Sequence, residues 1–230
     1  MDGRRANELR KVSVKLGMQT HSDGSAYLEQ GNTKILATVY GPREARHRSQ
    51  VLHDRAIINV EFIISSFAMF ERKKISKSDK RQLEIASWIK KCFECVIFTA
   101  NYPKSQIDIY IQVLQADGGL ASASINAVSL ALVDAGISMK DYVFASSIGI
   151  FESSFLLDLS KLEESSQVAE LTVASCPTSG KVLLVQSDSK ISLTSLDEAM
   201  SLSIAGSKQL HKVLDFAVKK HMEKLISCRQ

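Results

Sequence analysis

The sequence predicts an α+β fold in which mixed β-sheets pack against α-helices, and three patterns lead to that prediction. Apolar and polar residues alternate over residues 107–113, as they do in a strand with one buried face. Apolar residues recur at intervals of three and four over residues 79–99, which is the period of an amphipathic helix. The strand and helix segments interleave without regular strand–helix–strand spacing, so a purely parallel sheet is not expected.

The first half of the chain contains the patterns of four strands. Residues 25–29 and 34–40 flank a Gln-Gly-Asn sequence at 30–32, which is typical of a hairpin. Residues 57–64 form a third apolar run. The alternation at 107–113 places the isoleucines of a fourth strand on one face of a sheet. These strands are expected to form one wall of the core.

Helices are predicted on either side of the fourth strand. The first covers residues 79–99, with most of its lysines and arginines off the apolar stripe. The second starts after Gly118-Gly119 and ends at Asp134, where Gly136 suits a left-handed cap. The second helix is rich in serine and alanine, so we expect a sheet or another helix to approach it closely.

The second half of the chain is predicted to form further strands and a long final helix. Four short apolar runs are strand candidates: residues 143–151, 155–159, 168–174 and 181–186. The final helix is predicted to begin near Ser195, because its spacing to Glu198 matches a capping box. It is expected to continue to about Ile226.

Composition limits the class of protein. The chain has 230 residues, of which 45% are hydrophobic, enough to build the core of a single domain covering 1–230. A net charge of +4 is compatible with RNA binding but is a weak indication by itself. No apolar run approaches the roughly 18 residues of a membrane span, and the N-terminus lacks the apolar segment of a secretory signal. We therefore expect a soluble intracellular protein.

The cysteines do not predict a metal centre. Cys92 and Cys95 have the C-x-x-C spacing, but they lie inside a helical pattern, and Cys176 and Cys228 provide no second ligand pair. We expect reduced thiols in a packed interior. Neither a metal nor a cofactor is predicted.

Short motifs spread over nearly the whole chain resemble those of a known family. They are Asp2-Gly3-Arg4-Arg5, Glu8-Leu9-Arg10, Asp23-Gly24-Ser25-Ala26, Gly31-Asn32-Thr33-Lys34, Tyr40-Gly41-Pro42, Glu71-Arg72-Lys73, and residues 105–109, 114–119 and 134–137. Each motif alone is weak, but in this order and spacing they are specific. The chain resembles the RNase PH family, which implies an RNase PH-like fold.

The resemblance is strongest to the members of that family that build the ring of the RNA exosome. It implies a hexameric ring in which this chain is a scaffold beside RNase PH-like partners of the protein 45 and protein 42 types. It also implies exosome cap proteins, an associated hydrolytic exoribonuclease, and a central channel that guides single-stranded RNA to that nuclease for processing and decay. Such a complex is expected in the nucleus, nucleolus and cytoplasm.

The resemblance also indicates changes at the phosphate site of the active relatives. Phosphorolysis brings inorganic phosphate to the last 3′ phosphodiester, so two anions must be held by cationic donors. After positions matching Asp117-Gly118-Gly119, active relatives have a hydroxyl residue and an arginine, whereas this chain has Leu120 and Ala121. Only a helix N-terminus then remains, and losing one such donor costs on the order of 3 kcal/mol.

A second departure concerns an acidic site. Active relatives carry two aspartates six residues apart, after a strand that bears a residue like Asp158; the matching positions are Glu164 and Glu170. The extra methylene displaces each carboxylate, and metal-assisted chemistry is sensitive to shifts of about 1 Å. Glu163 and Glu164 are interpreted as a solvated acidic turn. Both departures together predict that the phosphorolytic site is degenerate and that the chain is not an enzyme.

Two alternatives to the scaffold interpretation stay open. In the first alternative, the chain is an active phosphorolytic 3′–5′ exoribonuclease subunit whose site is completed by a neighbouring subunit. In the second alternative, it is a stand-alone RNA-binding module outside any ring. Phosphate-dependent release of nucleoside diphosphates distinguishes the first alternative, and a stable monomer in solution would support the second.

Two basic clusters are the candidate RNA contacts. The residues are Arg46, Arg48 and Ser49 in a neck cluster, and Arg72, Lys73, Lys80 and Arg81 in a second cluster. The resemblance places the neck cluster at the narrowest part of the channel, and it matches the last two residues of the second cluster to arginines near the active site. Donors on such surfaces hold phosphates without reading sequence.

Overall fold

The computed structural model describes residues 4–45, 51–72, 79–151, 154–166 and 168–227. Two β-sheets and four α-helices form within these ranges. The strands are β1 (Val12–Leu16), β2 (Gly24–Gln30), β3 (Thr33–Glu44), β4 (Ile57–Ile64), β5 (Ser105–Gln115), β6 (Phe144–Phe151), β7 (Ser154–Leu157), β8 (Ala169–Ser175) and β9 (Val182–Ser187). The helices are α1 (Lys80–Val96), α2 (Leu120–Asp134), α3 (Lys161–Glu164) and α4 (Leu193–Ser227), with a 3-10 turn at Thr99–Asn101.

The first sheet has the strand order β1–β2–β3–β5–β4. β4 runs parallel to β5, and the other neighbours are antiparallel, so the predicted mixed sheet is confirmed. The β2–β3 hairpin turns at Gly31, whose φ of +60° requires a residue tolerant of left-handed backbone. The isoleucines of β5 are buried on the core face, as their alternation predicted.

The second sheet has the order β7–β6–β8–β9, with every pair antiparallel. Its strands match the four predicted runs within a few residues, except at the end of β7. That strand ends at Leu157 rather than at residue 159. The reason is Asp158, whose φ of +61° is left-handed and does not continue a strand.

Helix α2 joins the two sheets. Every residue from Ser122 to Leu132 is buried, and the helix contacts β2 and β3 of the first sheet and β6 of the second. Its small serine and alanine side chains allow this approach. Asn126 pairs with the backbone of Ala145 through its amide nitrogen at 3.0 Å and its oxygen at 2.8 Å, which fixes α2 against β6.

The other helices begin and end slightly differently from the predictions. α1 starts at Lys80, with Asp79 accepting from the Arg81 N–H at 3.2 Å, and stops at Val96 because Ile97 pairs with Met139. α4 begins at Leu193 rather than near Ser195. The short strand β1 and the four-residue helix α3 were not predicted.

The earlier start of α4 has a local cause. The Ser192 hydroxyl accepts from the Ser195 N–H at 3.2 Å, and the Ser192 carbonyl accepts from the Leu196 N–H, so Ser192 closes the first turn. Further along, Leu210 and Leu214 are buried where α4 packs on β6. In the part of the chain that the structure describes, no helix has the length and apolar character needed to cross a membrane.

Candidate active site

A cavity of about 730 Å³ opens where the first turns of α1 and α2 meet α3 and the strands β8 and β9. Its charged lining consists of Asp79, Lys80, Arg81, Glu84, Lys161, Glu164, Glu170 and Asp188. Leu120, Ala121 and Trp88 supply apolar lining. A concave site with a few convergent charged groups is the usual form of a small-ligand or active site.

The turn that enters α2 depends on two glycines. Gly118 and Gly119 have φ of +82° and +60°. A Cβ on Gly118 would lie only 2.4 Å from the Leu159 carbonyl oxygen, so no larger residue fits there without displacing backbone. The Thr33 hydroxyl donates to the Gly118 carbonyl at 2.9 Å. The glycine turn before α2 therefore packs directly against the segment that follows β7.

Arg10 holds the same turn from the other side. Its Nη1 donates to the Asp117 carbonyl at 2.6 Å, and its Nη2 donates to Asp158 Oδ1 at 2.7 Å. The Arg10 backbone N–H donates to Asp158 Oδ2 at 3.0 Å. Both side chains are buried, so this ion pair fixes the loop before α2 in a place that water does not reach.

Asp158 does not belong to the acidic site in which the sequence analysis placed it. Both of its carboxylate oxygens accept from Arg10, and it does not line the cavity. Its backbone carbonyl accepts from the guanidinium of Arg4. Its role is structural, and the prediction that groups it with Glu164 and Glu170 is wrong.

The interpretation of Glu163 and Glu164 as a solvated acidic turn is also wrong. Glu163 forms a capping box with Ser160 at the start of α3 and an ion pair with Arg4 at 2.6 Å. Only 12% of the Glu163 side chain is exposed. The short helix α3 thus turns both glutamates inward, toward the start of the chain and the cavity.

Glu164 contacts the start of α2 directly. Its Oε1 accepts a hydrogen bond from the Gly119 N–H at 2.7 Å. Burial raises the pKa of this carboxyl, and the Gly119 hydrogen bond and the charges of Arg81 and Arg10 oppose that rise. A carboxylate therefore occupies the helix N-terminus that, by the family resemblance, faces the attacking phosphate in active relatives.

Glu170 also contributes its carboxyl group to the cavity. Burial raises its pKa to about 7, and the negative charges of Glu164 and Asp188 add to the rise, while Arg81 opposes it. Arg81 acts on both glutamates, so it is the cation that the two acidic groups share. A carboxyl with a pKa near neutrality can deliver a proton as well as accept one.

The remaining predicted residues fall into three groups. Lys80, Arg81, Leu120 and Ala121 line the cavity, and Arg72 is exposed on the segment after β4. Arg46, Arg48, Ser49 and Lys73 lie outside the described residues. Among the described residues there is no group of three histidine, cysteine, aspartate or glutamate side chains that could hold a metal ion.

Arg4 and Arg10 were predicted only as parts of family motifs, without a role in the site. In the structure they anchor Glu163 and Asp158, respectively. Asp188 and Lys161, which also line the cavity, were not singled out. The local sequence around Glu8-Leu9-Arg10 gave no signal that Arg10 is buried, and it did not indicate its partner.

The fold and the cavity together define a member of the RNase PH class. The first domain of the RNase PH, or 3′ exoribonuclease, family matches residues 8–138, and the second domain of that family matches residues 141–206. The chain belongs to this 3′ exoribonuclease family. The predicted RNase PH-like α+β fold is therefore confirmed.

Similar proteins carry the names of exosome subunits. The chain is 43% identical to exosome complex component RRP41 of Mus musculus, over 97% of this chain and 91% of that protein. It is 40% identical to exosome complex component SKI6 of Saccharomyces cerevisiae, over 99% and 93%. It is 39% identical to exosome complex component Rrp41 of Pyrococcus horikoshii, over 98% and 90%. The predicted resemblance to exosome members of the RNase PH family is confirmed, and the matching component is RRP41, the ribosomal-RNA-processing protein 41, in the mouse and archaeal relatives.

Two solved structures share the fold. Rrp46 of rice (Oryza sativa) superposes with a TM-score of 0.85 at 24% identity, covering 95% of this chain and 99% of that chain. A chain of the Archaeoglobus fulgidus exosome with RNA bound to the active site superposes with a TM-score of 0.77 at 22% identity, covering 92% and 91%.

The prediction that this chain is not an enzyme is wrong. The family it belongs to is one of 3′ exoribonucleases, it has a full-length archaeal Rrp41 relative, and an archaeal exosome of the same fold has RNA bound to an active site. The residues Leu120 and Ala121 do not show degeneracy. Physically, the cavity retains a cationic lining, because Lys80, Arg81 and Lys161 border it together with Leu120 and Ala121.

Proposed function

We propose that the chain is a subunit of an RNA exosome ring and that its cavity is a phosphorolytic 3′ exoribonuclease site for single-stranded RNA. The names of its relatives support the exosome assignment. One observation carries the proposed chemistry. One cavity is lined by the start of α2, by Arg81 and by the pair Glu164 and Glu170. It therefore combines hydrogen-bond donors for anions with a titratable acid.

The reaction sets the demands on this cavity. An oxygen of inorganic phosphate attacks the phosphorus of the last phosphodiester, and the bond from that phosphorus to the 3′ oxygen of the preceding nucleotide breaks. The terminal nucleotide leaves as a 5′-diphosphate, and the released 3′ oxygen takes up a proton. The site must therefore neutralise two anions and supply one proton.

Lys80 and Arg81 meet the first demand. Both lie in the first turn of α1 and line the cavity, where positive charge is unfavourable for the helix itself. Binding of Lys80 and Arg81 to the phosphates of the RNA 3′ end would offset the unfavourable energy of two positive charges at the start of α1. The backbone N–H groups at the start of α2 provide further donors for the attacking phosphate.

Glu170 meets the second demand. A carboxyl with a pKa of about 7 is partly protonated at neutral pH, so it can give its proton to the departing 3′ oxygen. Glu164 is held by the Gly119 N–H at 2.7 Å and is therefore less free to act as the acid. Glu170 is the proposed general acid of the cavity.

The assembly extends the site. The neck cluster of Arg46, Arg48 and Ser49 is proposed to hold RNA in the ring channel, and Arg72 and Lys73 are proposed as further RNA contacts. The proposed partners are RNase PH-like subunits of the protein 45 and protein 42 types, cap proteins and a hydrolytic exoribonuclease. Residues 1–230 are proposed to fold as one domain, and the complex to work in RNA processing in nucleus, nucleolus and cytoplasm.

A reconstituted ring tests the proposal. Single-stranded RNA labelled at its 5′ end is incubated with and without inorganic phosphate, and the products are separated. Phosphate-dependent shortening that releases nucleoside diphosphates supports the proposal. Shortening that is independent of phosphate and releases monophosphates, or RNA that stays intact although the ring binds it, would contradict the phosphorolytic assignment.

A further inference from the structure

The anion nearest to the start of α2 is part of the protein. Glu164 Oε1 accepts from the Gly119 N–H at 2.7 Å, and Gly119 is the N-cap residue of α2. Charge-assisted bonds from backbone N–H groups to a carboxylate are among the stronger hydrogen bonds in proteins. A phosphate oxygen that approached the same N–H would meet Glu164 first.

The surroundings of Glu164 explain why its side chain lies there. Glu163 is tied to Arg4 at 2.6 Å, so helix α3 is anchored beside the glycine turn. Burial raises the pKa of the Glu164 carboxyl, while the Gly119 hydrogen bond and the charges of Arg81 from α1 and Arg10 from the loop before β1 oppose that rise. The Gly119 N–H and the two arginines are therefore the groups that favour an anion at this point, and Glu164 supplies it.

A polar group beside Gly119 also points to a ligand. The Ser147 hydroxyl on β6 is buried and has no hydrogen-bond partner among the described residues. Its Oγ lies 3.1 Å from the position that a Cβ on Gly119 would take. Buried donors of this kind are normally satisfied, so the start of α2 has unused capacity for a ligand oxygen or an ordered water.

We propose that the Glu164 carboxylate is a resident anion at the phosphate position of α2, and that inorganic phosphate enters by displacing it. This inference rests on the proposed phosphorolytic function and adds a residue that sets phosphate affinity. An aspartate in place of Glu164 would be shorter by one methylene, so its carboxylate would reach the Gly119 N–H less well. Phosphate therefore competes with a side chain here, and its apparent affinity is reduced by that competition.

Phosphate binding to the full-length chain without RNA tests the inference independently of catalysis. Inorganic phosphate and, in parallel, sulfate are titrated by calorimetry at fixed pH and ionic strength. Glu164→Ala removes the competitor, and Glu164→Asp shortens it while retaining the charge. Glu170→Ala and Glu170→Asp are matched controls, because Glu170 lines the same cavity, whereas the Gly119 N–H donates to Glu164.

The expected result is a gain in phosphate affinity of about tenfold or more in Glu164→Ala, the scale of one hydrogen bond to a charged group. Glu164→Asp should show a smaller gain, and both Glu170 variants should gain less than their Glu164 counterparts. Equal gains in phosphate affinity at the two positions would show that the negative charge in the cavity matters and the Gly119 hydrogen bond does not. That result would overturn the inference. No gain in either Glu164 variant would overturn it as well, whatever the ring does to RNA.

Discussion

Arg10 and Asp158 are joined by two hydrogen bonds across 148 residues of sequence, one from the Arg10 guanidinium at 2.7 Å and one from its backbone N–H at 3.0 Å. The Asp158 side chain is 0% exposed. The same guanidinium donates to the Asp117 carbonyl at 2.6 Å. One buried ion pair therefore links the Glu8-Leu9-Arg10 motif to the glycine turn that starts α2.

Removing one member of this pair should destabilise the protein strongly. Arg10→Leu leaves the Asp158 carboxylate buried without its partner, a change that costs about 3–5 kcal/mol. Urea unfolding followed by circular dichroism would measure the loss. Arg5→Leu is a suitable control, because Arg5 is exposed, and its effect should stay within about 0.5 kcal/mol. A similar small effect for Arg10→Leu would contradict the structural role of the pair.

The glycine turn should not tolerate a methyl group at position 118. Gly118→Ala places a Cβ 2.4 Å from the Leu159 carbonyl oxygen at a φ of +82°, so both strain and a backbone clash oppose folding. Gly136→Ala and Gly180→Ala share the positive φ but meet nothing within 4 Å. They should cost about 1 kcal/mol each, and Gly118→Ala should cost clearly more in the same denaturation assay. Equal costs would show that the turn is free to move.

Glu170 should make the stability of the chain depend on pH. Its pKa is raised to about 7 in the folded protein from an ordinary value of 4.5. The folded state therefore retains a proton that the unfolded state has lost, and stability declines as the pH rises through this interval. The decline should be complete above about pH 7. Glu170→Gln removes this contribution and should be more stable than the native chain at pH 8, by on the order of 1–3 kcal/mol.

Urea unfolding at several pH values from 4 to 8 measures this dependence. The native chain and Glu170→Gln should converge as the pH falls toward 4, because Glu170 is then protonated in both states. Glu223→Gln, on the exposed side of α4, should follow the native chain throughout. Parallel curves for the native chain and Glu170→Gln would contradict the burial of Glu170 as the cause.

Lys80 and Arg81 should contribute to RNA affinity through phosphates. The double change Lys80→Glu with Arg81→Glu is expected to weaken binding of single-stranded RNA by the ring and to lower the salt dependence of that binding by about two phosphate contacts. Lys190→Glu, which alters an exposed lysine away from the cavity lining, is the control. Filter binding over a range of salt concentrations measures both quantities. An unchanged salt dependence of RNA binding in the double variant would show that RNA does not bind through Lys80 and Arg81.

The sequence predicted the large elements because each one carries its own periodicity. The isoleucines of β5 alternate with polar residues and are buried as expected. The small serine and alanine residues of α2, and the glycine after its end, Gly136, are visible directly in the sequence and predict a closely packed helix. β1 was not predicted, and only the register with β2 makes its five residues a strand.

The site was harder to predict because its contacts are distant in sequence. Glu163 looked like a solvated acid, since its partner Arg4 is 159 residues away. Glu164 looked equally exposed, since the Gly119 N–H is 45 residues away. The sequence shows that Ala121 stands where active relatives have an arginine. It does not show which other charged side chains line the cavity. The prediction of inactivity failed for that reason.

The most direct test of the phosphorolytic assignment is a phosphorolysis assay on a reconstituted ring that contains either the native chain or Glu170→Gln. With the native chain we expect phosphate-dependent release of nucleoside diphosphates. With Glu170→Gln the rate should fall by about a hundredfold, the usual contribution of a general acid, while RNA affinity stays within a factor of about two. Equal rates of diphosphate release from the two rings, or none from the native ring, would contradict the account.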